Sequence, residues 1–334
     1  MTGNRRKDIV LATTRQWNPG DEFIRTGVES LLEEASGWQI NWLIYDRNPD
    51  LRNCRLNNIS NSFFDSDVPY VSFIVLAGTS EWCGPLMTEL YRYSLKFSIP
   101  IVAIGIGTPG FERRLSRLEE HVFHTQTLLI IARDQATADM LSSYGIGSTV
   151  MPCPSLMAAS TRNYPDRIRS VAVIWQFAET RQPCSVGQRE SLVSLCQRLE
   201  ETGYDVSIVA SYLEELEVLH DLNLDYPVYY SYEPKAYLDI LQQFDAVVGL
   251  RLHGCLLALS LGKPAILVPH DERVAAAAKE VPTLATCALD QVSEQLSSLA
   301  AGLPDWQHQH ERLLTELRKD YLSRIRDVCL RYSD

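Results

Sequence analysis

The sequence predicts an α/β protein of two Rossmann-like domains whose parallel sheets face each other across a cleft. Three observations carry that reading. Short apolar runs of strand length alternate with longer segments of helical period, the pattern of a parallel sheet flanked by helices. The alternation runs to residues 149–154, pauses over a polar stretch at 158–169 and restarts at Ser170. The chain's 334 residues also exceed the usual span of one core, so two are expected. The expected division is 1–157, then 168–305, then a closing helical segment, 306–334, packed back on the first domain.

Residues 8–12 (DIVLA) read as the first strand, and 13–20 (TTRQWNPG) as a loop turned tightly by Asn18-Pro19-Gly20. Asp21 and Glu22 open an amphipathic helix with Phe23, Ile24, Val28, Leu31 and Leu32 inward. Those carboxylates suit the positive end of that helix, and their place beyond a strand's carboxyl end suits work on a ligand equally well. Residues 39–45 form the next strand, and the Asn-rich stretch 46–67 reads as a loop or short helix. The strand 71–76 ends in Ala77-Gly78-Thr79-Ser80; after a helix over 86–97, the strand 100–104 ends in Gly105-Ile106-Gly107-Thr108. Such glycines allow close approach to a ligand or simply a tight turn. A helical pattern over 111–123 leads to the buried strand 128–132. Arg133 follows at once, and reads with equal weight as an anion clamp or as half of a helix-start ion pair with Asp134.

In the second half, strands are expected at 170–175, 205–210 and 228–230, with helices at 186–203, 212–222 and 235–243. The most informative stretch is 244–274 (FDAVVGLRLHGCLLALSLGKPAILVPHDERV). It reads as a buried strand, a turn, a small-residue helix, a Gly262-Lys263-Pro264 break and a second strand: one βαβ crossover. Arg251 and His253 fall where the first strand ends and the helix begins. Ligands of open α/β sheets bind at the carboxyl ends of strands, and a helix N-terminus adds free N–H groups and a positive dipole end. An anion is therefore expected there. The last helical segment carries Leu314, Leu317, Tyr321, Leu322, Ile325, Val328 and Cys329 on one face.

With 42 acidic against 31 basic residues, the net charge of −11 disfavours nucleic acid as a partner, which needs a broad basic face. No apolar run approaches the roughly twenty residues that cross a bilayer. The polar start, residues 1–8, has no apolar secretion segment, and a cytoplasmic protein is expected. Eight scattered cysteines, with no Cys-x-x-Cys pair, read as reduced thiols, and no metal site is expected.

Several blocks together carry a resemblance. They are Asn18-Pro19-Gly20-Asp21-Glu22, Ala77-Gly78-Thr79, residues 100–105 (PIVAIG), Ala132-Arg133-Asp134, and Arg251-Leu252-His253-Gly254 with Gly262-Lys263-Pro264. In this order the chain, from about Ile9 to Val274, resembles the polysaccharide pyruvyl transferase family. The resemblance implies a two-domain fold like the B type of glycosyltransferases. It also implies transfer of a pyruvyl unit from phosphoenolpyruvate to saccharide hydroxyls, giving a ketal, with phosphoenolpyruvate as co-substrate and no cofactor. Arg251, Arg133, Leu252 and Gly254 would then bind the donor in the cleft, with Asn18, Gly20, Gly78 and Thr79 lining the substrate site. His253 is the candidate general acid or phosphate partner, because it titrates in the useful range. Asp21 or Glu22 would orient or deprotonate the acceptor hydroxyl. The acceptor would be a saccharide or a lipid-linked or nucleotide-linked precursor, and transient membrane contact is compatible with that. Departures from the family pattern fall at Thr79, where a third glycine is usual, at Cys153, where an Asp is usual, and at Arg273, where a Lys is usual. Two other readings stay open: a diverged enzyme using a nucleotide-sugar donor, and a non-catalytic partner in saccharide assembly.

Overall fold

The computed structural model describes residues 6–13, 19–46, 71–79, 82–107, 114–177 and 186–331. Six strands, β1 (Arg6–Thr13), β2 (Gln39–Asp46), β3 (Val71–Thr79), β4 (Ile101–Ile106), β5 (Thr127–Ala132) and β6 (Thr149–Val150), form one all-parallel sheet ordered β2-β1-β3-β4-β5-β6. Six more, β7 (Ser170–Ile174), β8 (Asp205–Val209), β9 (Val228–Tyr229), β10 (Ala246–Gly249), β11 (Ala265–Leu267) and β12 (Ala285–Thr286), form a second, ordered β12-β11-β10-β7-β8-β9. Helices cover both faces of such sheets, and so β4 and β10 are continuous apolar runs buried along their whole length.

The first sheet is served by α1 (Pro19–Ser36), α2 (Thr88–Phe97), α3 (Arg117–Thr125) and α4 (Gln135–Ser143). The second is served by α5 (Val186–Glu201), α6 (Leu213–Leu222), α7 (Pro234–Gln242), α8 (Leu252–Ser260), α9 (Glu272–Lys279) and α10 (Val292–Ala301), and α11 (Leu303–Leu330) closes the chain. The helix expected over 111–123 starts only at Arg117. Ser116 sets that start: its hydroxyl accepts from the Glu119 amide at 3.3 Å while the Glu119 carboxylate accepts from the Ser116 amide at 2.7 Å. Residues 111–113 lie outside the described residues, as does most of the stretch 46–67.

Contacts divide the chain into one unit of Met1–Arg15, Ile24–Ala158 and Glu316–Asp334, and another of Gln16–Phe23 and Ala159–Thr315. Both α1 and α11 therefore change unit along their length. In the second half of α11, Tyr321 Oη donates to the Pro152 carbonyl at 2.7 Å and Arg324 donates to Thr149 Oγ1 at 3.2 Å. In its first half, His310 is fully buried in the other unit. Its Nε2 donates to the Leu259 carbonyl and its Nδ1 accepts from Thr283 Oγ1, both at 2.8 Å, and the ring stacks on Trp306. The polar stretch at 158–169 is tied to the same unit, through Asn163 N to the Leu261 carbonyl and Tyr164 Oη to Glu311.

Among the described residues each sheet has one place where the strand order reverses. In the first sheet it lies between β1 and β3. In the second it lies between β7 and β10, because the chain runs outward from β7 to β9 and returns to β10 on the other side. Ligands of open α/β sheets bind at such places, outside the carboxyl ends of the strands.

Candidate functional site

Arg251 stands at the reversal point of the second sheet. The register pairs Gly249 with Ile174, and the Leu250 amide donates to the Ile174 carbonyl at 3.0 Å, so Arg251 leaves the sheet beside the end of β7. Two glycines bracket it for a packing reason. A Cβ on Gly249 would lie 2.7 Å from the Ile174 carbonyl oxygen, and one on Gly254 would lie 2.6 Å from Ile174 Cδ1. Only bare backbone lets α8 start this close to β7. Gly254 thus serves helix-to-strand packing, and Leu252 is buried with it.

The Arg251 guanidinium is held on two sides. Its Nη2 forms an ion pair with Glu215, which is buried in the first turn of α6, and its plane lies over the Tyr212 ring, 4.4 Å from the centroid. Glu215 is itself fixed: its Oε2 accepts from the Ser211 amide at 2.7 Å and the Tyr212 amide at 3.1 Å. Nε of Arg251 is buried and has no acceptor among the described residues. At the end of β7, Trp175 is 4% exposed, and its Nε1 also has no acceptor among the described residues. A buried donor left without a partner costs on the order of 1–3 kcal/mol, and a ligand acceptor removes that cost.

His253 is the second residue of the same helix, partly exposed. Cys255 follows it, but burial pushes the thiol up to about 12 and its Sγ donates to the Ile266 carbonyl, so it is no nucleophile. Phe23 packs on Tyr237 with ring centroids 5.3 Å apart, and Tyr237 is fully buried with its hydroxyl 3.4 Å from Ser211 Oγ. Asp21 and Glu22, just ahead of Phe23, are buried in the first turn of α1, as is Gly20.

In the other unit, Arg133 follows β5. Its amide donates to the Ile106 carbonyl at 2.9 Å, and its Nε lies 3.6 Å from Asp134 Oδ2. Asp134 caps α4 through the Thr137 amide at 2.8 Å, which makes the helix-start ion pair a fact of the structure. The neighbouring glycines make room for side chains of the protein itself. The Cβ space at Gly78, where φ is 65°, is taken by Ile24; that at Gly105, φ 73°, by Pro154; and that at Gly107 by the Arg133 guanidinium. Thr79 is the last residue of β3, in register with Ile106. Asn18 lies outside the described residues. Cys153 is buried and its Sγ accepts from Ser155 Oγ at 3.3 Å.

The sequence pattern described as Polysaccharide pyruvyl transferase matches residues 18–272, about three quarters of the chain. The chain belongs to the polysaccharide pyruvyl transferase family. It is thus a transferase of a family named for moving a pyruvyl group to polysaccharide, and the matched span contains both Arg133 and the Arg251-to-Gly254 block. No curated protein matches the chain. Among solved structures it is similar to the UDP-GlcNAc 2-epimerase from Neisseria meningitidis bound to UDP-GlcNAc, at 12% identity and a TM-score of 0.55, covering 98% of this chain and 99% of that one. It is similar also to a glycosyltransferase from Streptomyces nogalater, at 12% identity and a TM-score of 0.52 over 98% and 99%. The UDP-GlcNAc 2-epimerase from Methanocaldococcus jannaschii, solved with UDP-GlcNAc and UDP, gives 11% identity and 0.53 over 93% and 100%. At such identities the likeness establishes the fold, the two-sheet α/β architecture of B-type glycosyltransferases and these epimerases. Among the described residues no helix is long and apolar enough to cross a membrane, and no three His, Cys, Asp or Glu gather where they could hold a metal ion.

The sequence reading singled out Arg251 and His253, and the structure puts both at the start of α8. It missed Glu215, Tyr212 and Trp175. For Glu215 a signal was present: an acid three residues after the end of a strand-to-helix turn is a helix-start pattern. Nothing in the sequence tied it to an arginine 36 positions later.

Proposed function

We propose that this chain transfers the pyruvyl unit of phosphoenolpyruvate to two hydroxyls of a saccharide or saccharide precursor, forming a pyruvate ketal. The observation that carries the reading is Arg251 at the reversal point of the second sheet, with a buried Nε that has no acceptor among the described residues. A guanidinium fixed beside a helix N-terminus suits the carboxylate or phosphate of such a donor. In the proposed scheme His253 delivers a proton to the methylene carbon, and one saccharide hydroxyl bonds to the adjacent carbon and gives up its proton, which restores the one that left His253. The carbon–oxygen bond to phosphate then breaks as the second hydroxyl bonds to the same carbon. The second hydroxyl's proton leaves with inorganic phosphate, so donor and diol give ketal and phosphate. Asp21 and Glu22, both buried, take no step in this scheme.

The test is release of phosphate from phosphoenolpyruvate with a panel of saccharide acceptors, alongside direct titration of the donor. Release that requires an acceptor and disappears in Arg251→Ala and His253→Ala supports the reading. Thermal stabilisation by a nucleotide sugar but not by phosphoenolpyruvate would replace it with sugar transfer.

A further inference from the structure

We propose that Glu215 is a positioning residue which, with the ring of Tyr212, clamps the part-exposed Arg251 guanidinium in one orientation toward an anionic group of the donor. The inference rests on the reading of Arg251 as an anion ligand given above.

An arginine side chain has four rotatable bonds, and a single ion pair leaves it free to sweep. Here two constraints act together. The Glu215 carboxylate fixes the direction of Nη2 within the guanidinium plane, and the Tyr212 face, 4.4 Å from Cζ, fixes the plane itself. The clamp is anchored to the backbone, because the other oxygen of Glu215 accepts two amides, from Ser211 and Tyr212. Those amides head α6, so the carboxylate also meets the positive end of that helix. With its charge met on several sides, Glu215 stays in place when an anion arrives, and the guanidinium keeps its orientation. The division of labour explains a carboxylate beside an anion site: it lowers the net charge there, and in return it orders the cation.

The side-chain length is the discriminating quantity. Glu215→Asp keeps the charge but is one methylene too short to reach both the α6 amides and Arg251. Glu215→Gln has a single oxygen, so one of the two partners must face its amide N–H groups. If only local charge mattered, Glu215→Asp would behave like the wild type.

The experiment is titration of inorganic phosphate, and separately of phosphoenolpyruvate, into the full chain and its Glu215→Asp, Glu215→Gln, Arg251→Ala and Arg251→Ala/Glu215→Gln variants, with Tm recorded for each. Phosphate is expected to bind the wild type in an Arg251-dependent way, and each Glu215 variant to weaken it about tenfold. Glu215→Gln is expected to add less than about twofold once Arg251 is gone, since the effect passes through it. Tyr212→Leu, which leaves the amides of α6 intact, is expected to weaken phosphate several-fold and decides the matter should the Glu215 variants fail to fold. The proposal is overturned if Glu215→Asp or Tyr212→Leu binds like the wild type. It is overturned equally if Glu215→Gln costs the same with and without Arg251, or if phosphate binding does not need Arg251. Arg251-dependent phosphate binding without any binding of phosphoenolpyruvate would sink the donor reading and leave the clamp standing.

Discussion

Arg133 and Arg251 both stand just past a buried strand, one in each unit, and both meet a carboxylate. Arg133 pairs with its neighbour in sequence, Asp134, and its guanidinium fills the space that a glycine, Gly107, leaves open. Arg251 pairs with Glu215, 36 positions away on another crossover, and rests on an aromatic face. Their places in the sheets differ as well. Arg251 sits where strand order reverses, whereas Arg133 follows β5, two strands removed from the reversal between β1 and β3. Two similar strand ends in the sequence are thus unequal in the fold, and under the proposed function the topology ranks Arg251 above Arg133 as anion ligand.

The largest expected effect tests that ranking. Arg251→Ala should lower kcat/KM for phosphate release from phosphoenolpyruvate on the order of a hundredfold to a thousandfold, the cost of losing a donor aimed at developing charge. Arg133→Ala should cost less; equal losses in steady-state assays would break the ranking.

A second difference is in how the units respond to acid. Burial lowers the His310 pKa from its ordinary value to about 4, in the unit that holds Arg251. Above the unfolded value near 6.5 both states are neutral and pH has no effect through this group. Between about 6.5 and 4 the unfolded chain takes a proton that the folded one refuses, so stability falls as pH falls. Below that window the loss is complete, at about 3 kcal/mol. Urea unfolding followed at pH 7 and pH 4.5 should show this slope in the transition that contains Arg251, and His310→Gln should flatten it.

Smaller changes probe how Arg133 is seated. A Cβ at Gly107 would lie 2.2 Å from Arg133 Nε, the far part of a flexible side chain, so Gly107→Ala should displace the guanidinium without unfolding the protein. About a tenfold loss in kcat/KM is expected with little change in Tm. Activity unchanged from the parent would show that the seat of Arg133 does not matter to the reaction. At Gly147 nothing lies within 4 Å of an added Cβ. Gly147→Ala should therefore stay within about 0.5 kcal/mol of the parent in stability and keep full activity.

Much of the fold is legible in the chain because parallel sheets covered on both faces demand continuous apolar strands, and β3, β4, β5 and β10 all read that way. Local pairings were legible too, as in the Arg133–Asp134 ion pair at a helix start. The start of α3 was misread because the helical period begins earlier than the Ser116–Glu119 box that fixes it. The glycine turns at Gly78 and Gly105 were legible as turns, but what fills them, Ile24 and Pro154, comes from other elements and has no signature near the glycine.

The sequence by itself determined the strand and helix alternation, the two-sheet class and the placing of Arg251 and His253 at a helix start, since each depends on residues within one crossover. Only the tertiary structure decided that this start lies at the reversal of strand order, that Glu215 and Tyr212 hold the guanidinium, and that Gly254 serves the packing of α8 on Ile174. Those facts depend on which strands become neighbours, and neighbours in a sheet are chosen by the burial of whole faces rather than by any single stretch of chain.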